Sequence, residues 1–228
     1  GWCNIGKKVD SICLSLTAAR AVQNRRQLLC NEIEAIVQRV NSEHGRCAHI
    51  TSLACGPARE LKDFVSSRQP SADYSFHLVD MDEQALDHVK GWITDNGKSY
   101  IDGQEHSLHR ANLIHLCSRK KKLELPLQDL VYSIGLIDYF SDSLVVRLLD
   151  YVYDMLRPGG KVIFGNFHPR NPTRVFMDVL LDWKLNYRTE EDMKQLFQQS
   201  KFGRDCQIMY EDENVNLFAV CEKPTKEW

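Results

Sequence analysis

Ala48-His49-Ile50-Thr51-Ser52-Leu53-Ala54-Cys55-Gly56-Pro57-Ala58 starts as a short apolar run and ends in a turn with small residues at alternate positions. Arg59-Glu60-Leu61-Lys62-Asp63-Phe64-Val65 then reads as helix, with Pro57 near its first turn, where a missing N–H is tolerated. A strand that passes into a helix through such a turn lets backbone approach a ligand closely at the carboxyl end of a sheet. The same residues also suit a tight turn that binds nothing, so the neighbouring sequence has to decide.

Downstream, Tyr74 to Val79 reads as a second strand, and Asp82 is a natural N-cap for a helix to about Trp92. Residues 94 to 106 are polar and read as loop. A third strand is expected near Leu108 to Asn112 and a fourth from Leu127 to Ile134. A helix from Leu144 to Leu156, a turn at Pro158-Gly159-Gly160 and a fifth strand from Lys161 to Phe167 follow. Helices around Arg174 to Lys184 and Glu190 to Gln199 precede two closing segments, Phe202 to Tyr210 and Val215 to Cys221, which read as an antiparallel pair. Strands alternating with helices predict parallel strands joined by right-handed crossovers, hence a doubly wound α/β domain over residues 46–228. Before it, Ile12, Leu16, Ala19, Val22 and Leu29, then Ile33, Ile36, Val37 and Val40, recur at helical spacing, with a break expected near Leu16 or Thr17 and a stop at Gly45. Residues 1–45 are read as an N-terminal helical cap able to close over a site.

A second signal is Leu78-Val79-Asp80-Met81-Asp82. An acid that ends the second strand lies beside the first turn, where its carboxylate can accept hydrogen bonds from both hydroxyls of a ribose. Asp80 follows Gly56 by 24 residues, close to the ~20 of dinucleotide-binding patterns.

With these residues together, Ser52-Leu53-Ala54-Cys55-Gly56-Pro57-Ala58 resembles the glycine-rich first motif of class I methyltransferases that use S-adenosylmethionine (SAM). Asp80 matches that family's ribose-binding acid. Asp129-Leu130-Val131-Tyr132-Ser133-Ile134-Gly135-Leu136-Ile137-Asp138-Tyr139-Phe140 looks like its fourth-strand motif, and Leu156-Arg157-Pro158-Gly159-Gly160-Lys161-Val162 like its entry to the fifth strand. The resemblance covers roughly residues 47 to 222. It implies a doubly wound, mostly parallel seven-stranded Rossmann-like sheet whose last strand is antiparallel, with SAM as cofactor. It further implies a cofactor site built from Ser52, Ala54, Gly56, Pro57, Asp80, Met81, Ser133, Ile134 and Gly135, with Asn112 and Leu113 beside the adenine. A narrower resemblance rests on Leu53 to Glu60, Tyr132 to Tyr139, Gly165 to Pro172, Asp182-Trp183 and Tyr187 to Glu191. These look like a bacterial group that includes makers of 3-hydroxy fatty acid methyl esters, which act as cell-to-cell signals.

The chain departs from the family pattern at the first turn. Ser52 stands where an acid usually helps to hold the amino group of SAM, and Ala54 and Ala58 replace the outer glycines. Serine can hydrogen bond but supplies no charge.

Methyl transfer from a sulfonium asks the protein chiefly for alignment. A carboxylate acceptor needs a cation to orient it, whereas an amine or hydroxyl needs a base. Asp138 and Tyr139 after the fourth strand, Asn166 and His168 after the fifth, and Tyr187 before a helix start are the catalytic candidates. Tyr139 could face the sulfonium, and His168 could act as base. Each also fits ordinary packing or capping. Arg25 and Arg26 on the first helix could clamp a substrate or SAM carboxylate, or simply face solvent.

Composition narrows the partners. Of 228 residues, 43% are hydrophobic and 26% charged, an ordinary globular balance, and the net charge of -2 lacks the basic excess expected of a nucleic-acid partner. Ser118-Arg119-Lys120-Lys121-Lys122 is basic and reads as a solvated loop or a contact with an anionic surface. No apolar run reaches the ~18 residues that would insert stably in a membrane. The eight cysteines form no C-x-x-C pair and no Cys/His cluster with metal spacing, so no metal and a reduced, cytoplasmic chain are expected. A start at Gly1 leaves room for a preceding segment.

The leading expectation is SAM-dependent methylation of a small-molecule acceptor, such as the carboxyl of a fatty or hydroxy acid. Three alternatives stand beside it. SAM could close on itself into a small cyclic amino acid with release of methylthioadenosine, Ser52 leaving its amino group free. The domain could sense SAM without turnover, or methylate nucleic acid.

Overall fold

The computed structural model describes residues 14–66, 73–94, 106–118, 120 and 122–225. The expected helix before Leu14, the loop at 95–105, and Arg119 and Lys121 of the basic run lie outside them.

Leu16 is extended (φ -64°, ψ 144°) and breaks the helical path where the sequence predicts a break. Helix α1 then runs from Thr17–His44, 28 residues, and stops at Gly45, whose left-handed φ of 59° lets its N–H bond to the Asn41 carbonyl. Its buried stripe is Leu29, Ile33, Ile36, Val37 and Val40. After it come β1 (Ala48–Leu53), α2 (Arg59–Ser66), β2 (Tyr74–Asp80), α3 (Glu83–Thr94), β3 (Ser107–Arg110), α4 (Leu113–Cys117) and β4 (Gln128–Ile134). A 3-10 turn (Ile137–Tyr139) leads to α5 (Asp142–Met155), β5 (Leu156–Phe167), α6 (Arg174–Leu180), α7 (Glu190–Gln199), β6 (Gln207–Tyr210) and β7 (Asn216–Glu222).

The strands form one seven-stranded sheet in the order β3-β2-β1-β4-β5-β7-β6. Every pairing among β1 to β5 is parallel, and β7 is antiparallel to both β5 and β6. The alternation along each strand sorts the apolar residues into two layers. Ile50, Phe76, Leu130, Tyr132, Ile163, Phe218 and Val220 meet α1, α2 and α3 on one face. Val79, Val131, Val162, Phe164, Leu217 and Ala219 meet α4, α5 and α7 on the other. A doubly wound sheet covered on both faces has its ligand crevice where the strand order reverses, here between β1 and β4. A third, smaller cluster ties the start of α1 to the carboxyl end of the sheet: Ala18 and Ala21 pack with Phe167, Met177 and Val215.

Pro158-Gly159-Gly160 is not the turn its composition suggests. It belongs to β5, pinned against β7 by Gly159 N–H to Lys223 O (2.8 Å) and Lys223 N–H to Gly160 O (2.9 Å), with a register irregularity opposite Gln128. Glycine chemistry here makes a bulge rather than a reversal. A Cβ on Gly160 would stand 2.8 Å from the Gln128 carbonyl oxygen and 2.9 Å from that of Arg157. Both are backbone atoms that cannot step aside. Gly160→Ala is therefore expected to lower stability by about 1–3 kcal/mol in denaturant unfolding, and an unchanged midpoint would mean that the bulge relaxes freely. Smaller differences from the sequence reading are a β3 that ends at Arg110, the short helix α4 after it, and a β6 that begins at Gln207 because residues 200–206 are irregular.

Candidate functional site

The turn after β1 takes a left-handed backbone at three alternate positions: Ala54 (φ 53°), Gly56 (φ 51°) and Ala58 (φ 46°). For alanine this costs roughly 1 kcal/mol or more per residue, so the loop keeps a glycine-type path without the outer glycines. A Cβ on Gly56 would meet nothing within 4 Å, which leaves open space over the loop. Asp80 fastens this turn to the next. Its Oδ2 accepts the Gly56 N–H (2.8 Å) and its Oδ1 the Asp82 N–H (2.9 Å). A carboxylate accepting two bonds retains capacity for two more, as a ribose diol requires. Met81, next along, is 65% exposed.

Beside the turn lies a cavity of about 280 Å³, walled by Ala54, Gly56, Glu60 and Ile134 on one side and by Val22 and Arg25 of α1 on the other. Ser52 and Pro57 also border it. Below, the buried Tyr132 hydroxyl donates to Glu60 Oε1 (2.9 Å) and lies against the Ser52 hydroxyl. Burial raises the pKa of the Glu60 carboxyl, against the pull of its own backbone N–H, Tyr132, Arg25 and Arg26. The Arg25 guanidinium approaches Gly135 (φ 77°), its Nη1 3.4 Å from where a Cβ would stand. Burial lowers its pKa, opposed by Asp138 and Glu60. It makes no hydrogen bond or ion pair among the described residues. Arg26, by contrast, is paired with Asp63 of α2.

The other expected site residues fall into two groups. Ser133 Oγ donates to the Leu53 carbonyl (2.7 Å) and ties β4 to β1 at the crevice. Asn112 caps α4, its Oδ1 accepting the Ile114 N–H, and Leu113 packs into the core. Asp138 is buried and accepts the Phe167 N–H (2.7 Å); burial pushes its pKa up to about 6, with Phe167 N–H, Arg25 and Arg188 pulling the other way. Tyr139 is 54% exposed, its hydroxyl accepting the Trp183 Nε1–H (2.6 Å).

Asn166, His168 and Tyr187 are occupied elsewhere. Asn166 donates to the Phe167 and Asn186 carbonyls and accepts from Arg188. His168 Nδ1 accepts from the Arg170 backbone N–H (3.0 Å) and Nε–H (2.9 Å), so its proton sits on Nε2, 3.0 Å from Glu190 Oε2. Tyr187 stacks under Arg174, 4.4 Å from ring centre to guanidinium, beside a second groove of about 580 Å³. The structure thus gathers Ser52, Ala54, Gly56, Pro57, Ile134, Arg25 and Arg26 around the cavity and sets Asp80 and Met81 next to it. Gly135 and Asp138 lie near Arg25, while Asn166, His168 and Tyr187 serve a bracing network.

Glu60 and Arg188 were not picked out from the sequence. Glu60 carried a usable signal: it shares the i, i+4 face of Phe64 and so points inward with Leu61 and Val65. Arg188 carried none, because its partners come from two stretches distant in sequence, Ile137 to Asp142 and Asn166 on β5.

Residues 1–221 match the family described as "putative methyltransferase". A search of curated proteins by sequence returns no match. Solved structures share the fold at low identity. A possible exported protein from Bordetella parapertussis superposes with a TM-score of 0.70 at 19% identity over 92% of this chain and 70% of that one. A SAM-dependent methyltransferase from Methanosarcina mazei gives 0.57 at 12% over 79% and 94%. Magnesium protoporphyrin IX methyltransferase from Synechocystis PCC 6803, with bound SAH, gives 0.60 at 8% over 89% and 84%. No helix among the described residues is long and apolar enough to cross a membrane.

Proposed function

This chain belongs to the putative methyltransferase family, and from that we propose that it methylates the carboxylate of a small-molecule acid, a fatty or hydroxy acid, with SAM as cofactor. The observation that carries the cofactor reading is the Asp80 carboxylate holding the left-handed turn 54–58 at the β1/β4 switch point. Gly56 brings bare backbone to the ligand side of that turn, and an acid stands ready for the ribose. When bound, SAM supplies a methyl group already activated on sulfur, so the residues around it need only align and shield.

Two features favour a carboxylate acceptor. His168 is held by Arg170 and Glu190 through both ring nitrogens, which leaves no free imidazole to deprotonate an amine or hydroxyl; a carboxylate needs no base. Val175, Val179, Leu180 and Leu181 on and after α6 are 50–73% exposed. They offer exposed apolar surface to an acyl chain. The ring face of Tyr139 would supply a cation–π contact to the sulfonium of bound SAM.

Incubation with SAM and a panel of fatty and hydroxy acids, read by mass spectrometry, is expected to yield methyl esters. Methylthioadenosine formed without any acceptor would replace this reading with ring closure of SAM itself. Asp80→Asn is expected to weaken SAM binding about 100-fold by calorimetry, since it removes the charge from both the loop staple and the ribose contact. A loss below threefold would put the ribose elsewhere.

A further inference from the structure

The geometry points to Glu60 and Arg25 as the two jaws of a clamp for the amino-acid end of SAM, Glu60 taking the α-ammonium and Arg25 the α-carboxylate. The inference rests on the cofactor reading above. It starts from the missing charge at Ser52, whose buried hydroxyl cannot balance an ammonium group. Tyr132 supplies the link, since its hydroxyl touches Ser52 and donates to Glu60. The carboxylate absent from β1 is thereby present at the same wall of the cavity, delivered from the first turn of α2.

Glu60 is a costly residue in that place. It is 6% exposed and, among the described residues, its carboxylate accepts a side-chain hydrogen bond from Tyr132 alone. With only that hydroxyl and its own backbone N–H as donors, both neutral, a buried carboxyl is poorly compensated until a cation binds to it. Arg25 faces it from α1 across the cavity. The two side chains feel one another's charge, yet no ion pair joins them, and Arg25 has no other partner among the described residues. Opposite charges on opposite walls, left apart, match the charge separation of an α-amino acid zwitterion. An amino group held as ammonium also has no lone pair with which to attack its own carbon chain, so the clamp works against ring closure of SAM.

The test is calorimetric binding of three ligands: SAM, decarboxylated SAM, which keeps the amine, and methylthioadenosine, which lacks the whole amino-acid end. Glu60→Gln is expected to weaken SAM and decarboxylated SAM about tenfold while leaving methylthioadenosine unchanged. Arg25→Met is expected to weaken SAM by a similar factor and neither of the other two. Equal losses for all three ligands in either variant, or no loss of SAM affinity in both, would overturn the clamp. If the unaltered protein bound neither SAM nor methylthioadenosine, the cofactor reading would fall, and the clamp with it. Should Glu60→Gln not fold, Glu60→Asp replaces it, with the same pattern expected from its shorter reach.

Discussion

Replacing Arg188 with methionine is expected to cost about 3–5 kcal/mol of folding stability, since three buried or part-buried acceptors lose their donor together, at about 1–3 kcal/mol each. The Arg188 side chain is 4% exposed. Its Nε and Nη2 donate to Asp142 Oδ1 (3.0 and 2.8 Å), its Nη1 to the Ile137 carbonyl (2.8 Å) and Asn166 Oδ1 (2.9 Å), and its Nη2 also to the Phe140 carbonyl (2.6 Å). One guanidinium thus holds the start of α5, the turn carrying Asp138 and Tyr139, and the end of β5. Methionine fills the volume but leaves two carbonyls and an amide oxygen without a donor. Lysine, a point donor in place of a fork, should recover little. Denaturant unfolding checks both variants, and a loss under 1 kcal/mol for methionine would mean that water replaces the network at little cost.

The second large effect is on acid sensitivity. His77 on β2 lies between His49 on β1 (Nε2 to Nδ1, 3.4 Å) and Ser107 on β3 (Nδ1 to Oγ, 2.7 Å), and Ser107 is bonded in turn to His109 (2.7 Å). His106 accepts the Phe76 N–H through Nδ1 and sits against the Tyr74 and Phe76 rings. Burial, and for His77 the neighbouring imidazoles, depress both pKa values from 6.5 to about 4. Between those values the unfolded chain binds protons that the folded chain refuses, so stability present above pH 6.5 is lost progressively as pH falls toward 4. Each histidine accounts for ~2 kcal/mol once solvent screening is allowed for. Asp138, raised to about 6, acts in the opposite sense over part of the same range. It cancels when two chains that both contain it are compared. A His77→Gln, His106→Gln chain is therefore expected to lose about 3–4 kcal/mol less than the unaltered protein between neutral pH and the lower pKa. Parallel pH curves for the two chains would refute the assignment.

The fold was legible because its signals are local. A strand, a small-residue turn and a helix recur from Ala48 onward, and Asp80 ends β2 where the alternation says it should. Leu16 and Gly45 bound α1 through backbone conformations that their neighbours make readable. What failed to show in the sequence depends on distant partners. Pro158-Gly159-Gly160 looks like a turn until Lys223 bonds to it from the far end of the chain. His168 and Asn166 have the residue types of catalytic groups, but Glu190, Arg170 and Arg188 claim their donors and acceptors. Glu60 looked like one more polar residue on a helix until Tyr132 and Arg25 were placed around it. Candidate residues could be gathered by spacing, and their division into cavity and bracing needed the third dimension.

The position of β7 has a consequence for how such a chain is made. It is the last of the sheet's strands in sequence among the described residues, yet it sits inside the sheet, between β5 and β6. Until Asn216 to Glu222 has left the ribosome, β5 presents a bare edge, and both core layers lack a row of apolar side chains. Cotranslational folding can build the parallel half early but cannot close the sheet before synthesis has passed this strand. A message truncated upstream of β7 would release a chain with an open parallel edge and exposed core, the kind of species that aggregates or engages chaperones. Quality control of this protein therefore turns on the segment that carries β7, although the turn at 54–58 was complete far earlier.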